Sequence, residues 1–595
     1  VQKTTIGRLL LNDVLPAGYQ INDTTPKKAL NEKMVALAKS DPKLYVDVIG
    51  KLKKVGDAVT TDSGITVGLD DIEPDYVERD SILEPALIQI KKTRDINKRK
   101  ALIDATQQQL LQSTRKHPGQ MTTMALSGAR GSLAQLMRTV GSSVAVVDDQ
   151  GQTIPWMISK SYAEGLKAPD AWVAMSEARR NAVETYTSVA APGEMSKILV
   201  NNMSDQLITM PDCKTKNGVL IPITEAQDRF DAQTGELITA AVIRNRTTRQ
   251  ENPVIIKVRS PMTCEAPDGV CQKCYGLNTR GQVPTLGTNV GMMAAHAMGE
   301  PLTQMALNAK HATRTSQSQR AVLDGMAGFK QLTEIPQSFF NKATLATQAG
   351  NIEQIKKAPQ GGHYVFVNKH EHYVPPNLDV RVKKDQIVEA GDVLSDGIAK
   401  PDELVRYKGL GTGRQYLVDQ LHGLYNRQGL DMDRRHFEIL AKTDLNYIRM
   451  LDKDSPSLGM IRGDVVDYNR FRRLLAQKSK VVPIDAAQGR FLGDNVLHHT
   501  AGTPLTAALV KELRQQGITQ VPTAPEVPQH EAVMKPMSRT PLLHPDLLGR
   551  LGHRNLKNTI LEGAAFGEMS NIHGTHPVPA FVFGEQFGQG PQGRY

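Results

Sequence analysis

The sequence is poor in aromatic residues, 5% of its 595 positions, and it holds only two tryptophans and four cysteines. Four cysteines cannot staple a chain of this length, so its stability must come from packed cores. No segment approaches the run of about 20 apolar residues that a membrane-spanning helix needs. Residues 1–11 lack the basic-then-apolar pattern of a secretory leader, so a cytoplasmic protein is expected. The usual single-chain catalytic signatures are also missing: no P-loop, no G-x-S-x-G and no H-E-x-x-H. No internal repeat is found, which excludes solenoids and propellers. The short acidic clusters Asp70-Asp71 and Asp431-Met432-Asp433 read as solvated turns, because nothing around them resembles a metal loop.

What is present fits a soluble protein of three to five domain-sized units. Hydrophobic residues make up 40% of the chain, and 72 basic against 62 acidic residues give a net charge of +10. Such a mild excess permits a polyanionic partner without identifying one, because the electrostatic footprint depends on clustering.

All four cysteines enter one candidate constellation. Cys264, Cys271 and Cys274 form C-x6-C-x2-C within TCEAPDGVCQKCYG, and Cys213 lies upstream in MPDCKTKNG. Zinc takes four soft ligands in a tetrahedron, and a C-x2-C knuckle supplies two of them from one tight turn. Pro267-Asp268-Gly269 turns the chain between Cys264 and the knuckle. Four thiolates would leave no open position, so such a metal is structural. Buried free thiols or two disulfides are the alternatives, and a reducing compartment argues against disulfides. On spacing alone, Cys213 is the weakest of the four assignments.

Periodicity gives a coarse outline. The first 75 residues read as one helical segment mixed with β-like and turn-like pieces. Residues 81–115 alternate charged and apolar positions at helical spacing, and DINK marks a hairpin between two helices. A Gly- and Ser-rich loop follows at 127–136. A long Ala-rich helix starts near Pro169, and Pro192 is expected to kink or end it. Residues 205–280 read as β with turns around the cysteines. A helix spans 286–312, with an interruption expected near Gly299 and Pro301. The polar TRTSQSQR after it has few apolar anchors and reads as mobile. Short β runs occupy 336–400, helices 401–450 and mixed structure 476–540. Residues 586–595 read as a disordered tail.

Several segments together resemble, in order, the C-terminal part of the β′ (largest) subunit of bacterial-type multisubunit DNA-dependent RNA polymerase. They are TTIGRLLLNDVLP (4–16), TDSGITVGLDDI (61–72), SGARGSLAQL (127–136), SYAEGL with EARRNAVET (161–166 and 177–185), GVCQKCYG (269–276) and NVGMMAAHAMGEPLTQMALNAKH (289–311). VEAGDVLSDGIAKPDELVRYKGL (388–410), LYNRQGL (424–430) and, more weakly, NLKNTILEGAAFG (555–567) continue the series. The likeness has good order over residues 1–450 and is weak from there to about 540.

The resemblance implies a multidomain α+β architecture. Its parts would be a secondary-channel region (1–75), rim helices (76–118), an F-loop region (119–160), a bridge helix (161–204), a zinc-binding region (205–285) and a trigger loop (286–335). A β-rich jaw-like region (336–400), a helical jaw or clamp region (401–475) and a clamp-like C-terminal region (476–595) would follow. It implies roles as well. Gln304 would contact the nucleotide sugar, Leu307 would pack on the base in place of the family's Met, and His311 would act beside the phosphates. Asn308 stands where the family commonly has Arg, a loss for which Lys310 or Arg314 could substitute. Arg179 and Arg180 would lie near nucleic acid, and Thr185, Val189 and Ala190 would meet the template base. Val189 replaces the usual Thr, and Pro192 precedes the matched Gly193.

The family's magnesium-binding N-A-D-F-D-G-D loop is not found in this sequence. Magnesium would therefore be ligated by another chain or segment, and the chain would not catalyse alone. The implied partners are a β′ N-terminal part carrying that loop, β-like subunits, DNA template, RNA and nucleoside triphosphates, with a promoter-specificity factor as a further candidate. Split β′ subunits of this kind suggest a giant bacteriophage, because no long trigger-loop insertion fits between Ala312 and Gly328. The expected location is the cytoplasm of a bacterial host, or the virion if the enzyme is packaged. An unsplit β′ would be the alternative source. The competing function is a non-catalytic, zinc-bearing nucleic-acid-binding or scaffold protein of the same descent.

Overall fold

The structure is a computed structural model. It describes residues 4–578 except 24–26, 65, 75, 149–151, 248–253, 309–324, 431, 452–461, 525–526, 545, 552–555 and 570–574. The TRTSQSQR segment and the C-terminal tail lie outside the described residues. The chain forms two compact units, residues 1–186 and 187–595, and mixes helices with small sheets.

The first unit opens on helices, not on the mixture of β-like pieces expected from the sequence. Helices Ile6–Val14, Lys27–Ser40 and Pro42–Ser63 enclose a small core of Leu15, Ile21, Met34, Leu37 and Val48. The third contains Val and Thr residues that by propensity favour strand. Its start decides otherwise: Asp41 accepts a hydrogen bond from the Leu44 amide at 3.0 Å, and Pro42 occupies the first turn, an arrangement suited to a helix N-terminus.

The expected helical hairpin follows as Tyr76–Lys92 and Ile96–Thr114. Asp95 caps the second helix, accepting from Asn97 at 2.8 Å and Lys98 at 3.2 Å. Leu83, Ile90, Ile103 and Leu110 pack with Met137 and Val144 beneath it.

A single helix, Ala168–Met203, runs from the first unit into the second. Within the first unit, the Asp170 carboxylate accepts from the Trp156 indole at 2.9 Å, and Arg138 pairs with Glu177 at 2.8 Å. Of the two outcomes expected at Pro192, a kink or an end, the helix does not show the second. The proline is buried, and the helix continues for another eleven residues.

The second unit is organised by helices Val290–Asn308, Gly325–Glu334, Pro401–Arg427 and Arg434–Asp444. Their core includes Leu199, Met203, Met298, Leu302, Met305, Phe329, Tyr425 and Phe437. Gly299 and Pro301 do not interrupt the first of these helices. Gly299 is instead a point of close approach, where a Cβ would lie 2.7 Å from Ser196 Oγ. Gly291 repeats the device against the Met203 carbonyl oxygen, at 1.8 Å. One turn before Pro301, the Met298 carbonyl accepts the Tyr425 hydroxyl at 2.9 Å. That bond ties the turn ahead of Pro301 to helix Pro401–Arg427, while the missing Pro301 amide deprives the Ala297 carbonyl of its ladder donor.

Residues 350–388 form a four-stranded antiparallel sheet in the order His370–Val374, His363–Val367, Gly350–Lys357, Ile387–Val388. A second sheet orders Val465–Asp467, Tyr447–Met450 and His530–Val533, and a third orders Lys480–Pro483, Gln520–Ala524 and Phe491–Leu492. The third covers a separate small core of Ile484, Leu492, Leu497, Leu509, Leu513 and Val521.

One buried acid in this unit makes stability pH-dependent. Asp444 is fully buried, and burial raises its carboxyl to about 7, with Glu334 adding to the rise and the Thr540 hydroxyl at 2.8 Å opposing it. An unfolded aspartate titrates near 3.9, so between about pH 4 and 7 the folded state holds the extra proton. The stabilisation from the neutral acid is full below pH 4 and is lost as pH rises through 7. Asp444→Asn should therefore be near neutral at low pH and stabilise the protein at pH 8, by up to about 4 kcal/mol. Denaturant unfolding of the two proteins at both pH values tests this. An equal difference at the two pH values would rule out a neutral buried acid.

Candidate functional site

The four cysteines converge. Cys213 follows strand Ile208–Met210, which pairs in parallel with Val270–Cys271. That pairing brings the distant cysteine to the knuckle. Cys213 Sγ lies 3.7 Å from Cys274 Sγ and 3.8 Å from Cys264 Sγ. All four sulfur atoms lie within 4.8 Å of one another. A tetrahedral zinc with bonds of about 2.3 Å separates its sulfurs by about 3.8 Å, so the donor set fits that ion.

The surroundings favour thiolates. The Cys271 amide donates to Cys264 Sγ, and the Cys274 amide to Cys271 Sγ, each at 3.3 Å. Arg259 spans the cluster. Its Nε donates to Cys274 Sγ at 3.3 Å, and its Nη2 to Cys213 Sγ at 3.3 Å and to Asp212 Oδ1 at 2.9 Å. Burial works against the Arg259 charge, yet the Cys274 sulfur beside it outweighs this and holds the guanidinium above its ordinary value. Four thiols sharing only protons cannot all ionise together. Hydrogen bonding to Cys264 drives Cys213 well below its usual range, while burial pushes Cys274 up. A divalent cation resolves that conflict by accepting all four as thiolates.

Helix Arg434–Asp444 clamps the knuckle from outside. Arg435 Nη1 donates to the carbonyls of Tyr275 at 2.8 Å and Leu277 at 2.6 Å, and Lys442 Nζ donates to that of Gly269 at 2.5 Å. Burial opposes ionisation of Asp433, but Arg435 outweighs it and holds the carboxyl well below the usual range. Gly276 has φ 86°, and a Cβ there would lie 2.4 Å from the Asp228 carbonyl oxygen. Behind the knuckle, Glu438 is buried with Arg229 Nη2 at 2.8 Å and accepts from Ser260 Oγ at 2.6 Å. Arg259, Arg435, Lys442 and Glu438 were not legible as site residues. They come from elements up to 178 residues away in the chain, and no local spacing marks them.

The other sequence-derived candidates sit on the two helices already described. Arg179 is exposed, and Arg180 is half-buried with its Nη1 3.4 Å from the Asp148 carbonyl. Ala190 is exposed, whereas Thr185 and Val189 lie in the same helix with side chains outside the described set. Gln304 is exposed on helix Val290–Asn308, between the buried Leu302 and Met305, and its amide meets the Glu300 carboxylate. Leu307 and Asn308 end that helix, and their side chains are likewise outside the described set. His311 lies outside the described residues altogether, as do Lys310 and Arg314.

Comparison with known proteins places these features in context. The family model described as RNA polymerase Rpb1, domain 5, matches residues 165–455. That stretch holds the long helix, the four cysteines and both helices that flank residues 309–324. Among curated relatives, the DNA-directed RNA polymerase subunit beta′ of Tropheryma whipplei is 27% identical over 524 residues, covering 80% of this chain and 40% of that protein. The same subunit of Leifsonia xyli is 29% identical over 524 residues, with 80% and 40% covered. That of Symbiobacterium thermophilum is 27% identical over 517 residues, with 79% and 43% covered. The chain is thus similar to β′ subunits and spans about two fifths of the length of these relatives. Among the described residues, no helix is long and apolar enough to cross a membrane.

Proposed function

We propose that this chain is a C-terminal β′ component of a multisubunit DNA-dependent RNA polymerase, acting in nucleotide addition only within an assembly. The observation that carries the reading is helix Val290–Asn308. One face is locked into the core by Met298, Leu302 and Met305, while Gln304 faces outward, seven residues ahead of His311. A core-anchored helix that presents polar groups of this kind suits the positioning of a substrate.

In this reading helix Ala168–Met203 is the bridge helix. Arg179 and Arg180 face the nucleic acid, and Thr185, Val189 and Ala190 adjoin the template base. Gln304 holds the nucleotide sugar, and Leu307 packs on its base. Asn308, lacking the charge of an arginine, gives only hydrogen bonds. His311 serves the phosphates as positional catalyst or general acid, a role suited to an imidazole because its pKa lies near working pH. Magnesium ions, held by a partner bearing the D-F-D-G-D loop, would clamp the attacking and leaving oxygens. Cys213, Cys264, Cys271 and Cys274 would hold a structural zinc. The partners would be that β′ N-terminal part, β-like subunits, template DNA, RNA, nucleoside triphosphates and a promoter-specificity factor. We assign the chain to a giant bacteriophage, working in the host cytoplasm or carried in the virion, because no long insertion fits between Ala312 and Gly328.

The test is dependence on the partner. The highly purified chain should make no RNA on any template, and activity should appear on adding a partner that carries the magnesium loop. Robust magnesium-dependent synthesis by the chain alone would contradict the proposal.

A further inference from the structure

We propose that His498, His499 and Glu512 form a second metal site, separate from the cysteines, that takes a divalent transition-metal ion with zinc-like preferences. The site is built by a strained turn. The Val496 amide donates to the His499 carbonyl at 3.1 Å, and the His499 amide returns a bond to Val496 at 3.0 Å. Leu497 stands at the tip with φ 56°, a left-handed value that tight hairpin turns usually give to Gly. Its side chain is buried in the small core, and its amide donates to Asn217 Oδ1 at 3.0 Å. The turn therefore cannot relax without pulling Leu497 out of that core.

This geometry has a consequence for the two histidines. Neighbours in an extended strand point to opposite faces. Here the reversal brings the rings of His498 and His499 together, with centroids 4.0 Å apart. Helix Ala507–Gln515 adds Glu512, whose Oε1 lies 3.2 Å from His499 Nε2. One ligand atom from each of the three residues lies within 4.8 Å of the others. Zinc bonds to imidazole nitrogen and carboxylate oxygen are about 2.0–2.2 Å, so a tetrahedral edge is about 3.3–3.5 Å. Two imidazoles and a carboxylate are a donor set suited to zinc and its neighbours, not to magnesium or calcium. Lys408, whose charge also acts on Glu512, is paired with Glu389 at 3.1 Å and Asp392 at 2.9 Å.

The ion would act as a clip. It would join the turn at 496–499 to helix Ala507–Gln515. The same turn rests on helix Pro401–Arg427, where a Cβ on Gly411 would lie 1.9 Å from the His498 carbonyl oxygen. The small core would thereby be fixed against the bend that helix makes at Gly409, which has φ 82° and ψ 173°.

The full-length chain, dialysed against zinc and desalted, should hold two equivalents by elemental mass spectrometry. Its cobalt-substituted form should show thiolate charge-transfer bands from the cysteines together with d–d bands from a site without sulfur. Glu512→Gln and His498→Gln should each lose one equivalent and the sulfur-free bands while keeping the thiolate bands. Glu512 is 42% exposed, so its variant should fold, as circular dichroism would verify. A single equivalent whose cobalt spectrum is thiolate-only would overturn the proposal, as would two equivalents retained in both variants. Either result would leave His499 and Glu512 as a simple hydrogen-bonded pair.

Discussion

His311→Ala, in the reconstituted assembly, should slow single-nucleotide addition by roughly 10- to 1000-fold, a range that includes the contribution of a positioned acid–base group. The expectation rests on spacing. Gln304 is held outward by a helix whose inner face is packed, and His311 follows seven residues on. Saturating nucleotide should not rescue the rate, because the loss lies in the transition state and not in ground-state binding. His311→Gln separates the two roles that an imidazole can play. It should keep much of the activity if the ring donates a hydrogen bond, and little if it transfers a proton. Open-complex formation should change little. An unchanged addition rate in His311→Ala would remove the residue from the catalytic machinery.

Replacement of a buried cysteine of the proposed zinc site should have the largest effect on stability. Cys271 and Cys274 are fully buried, and Cys213 is the least buried of the four. Binding of structural zinc contributes on the order of 10 kcal/mol to folding in small domains, comparable to the whole stability of an ordinary domain. Cys274→Ser should therefore lose its zinc and unfold the region around strands Val219–Pro222 and Ile255–Val258, whereas Cys213→Ser should lose less. Hydrogen exchange of those strands, with zinc content measured on the same samples, reads the outcome. Full zinc occupancy in Cys274→Ser, or unchanged exchange after chelation, would show that the thiols are only buried.

How far the sequence carried depended on range. The C-x2-C knuckle and the capped hairpin at Asp95 were legible because their determinants lie within a few residues of each other. Gly299 and Pro301 were misread for the opposite reason. Each breaks a local rule, and each lies beside a distant group: Ser196 against Gly299, and the Tyr425 hydroxyl on Met298, three residues before Pro301. The expected β-like pieces of the first 75 residues are absent among the described residues, and in helix Pro42–Ser63 the Asp41 cap and Pro42 outweigh the strand propensity of its Val and Thr. Arg259 is the sharpest omission, since one arginine among 72 basic residues carries no mark of the sulfurs it will meet.

The bare positions Gly291 and Gly299 act as a ruler between the two helices they join. At Gly291 the obstacle to any side chain is the Met203 carbonyl oxygen, 1.8 Å from where a Cβ would stand, and main chain cannot turn aside. At Gly299 the nearest obstacle is the Ser196 hydroxyl, at 2.7 Å, and a side chain can rotate. The two glycines therefore differ in how freely their positions can drift. The second can take a methyl group once one serine gives way, whereas the first is closed to every larger residue for as long as the helices keep this spacing.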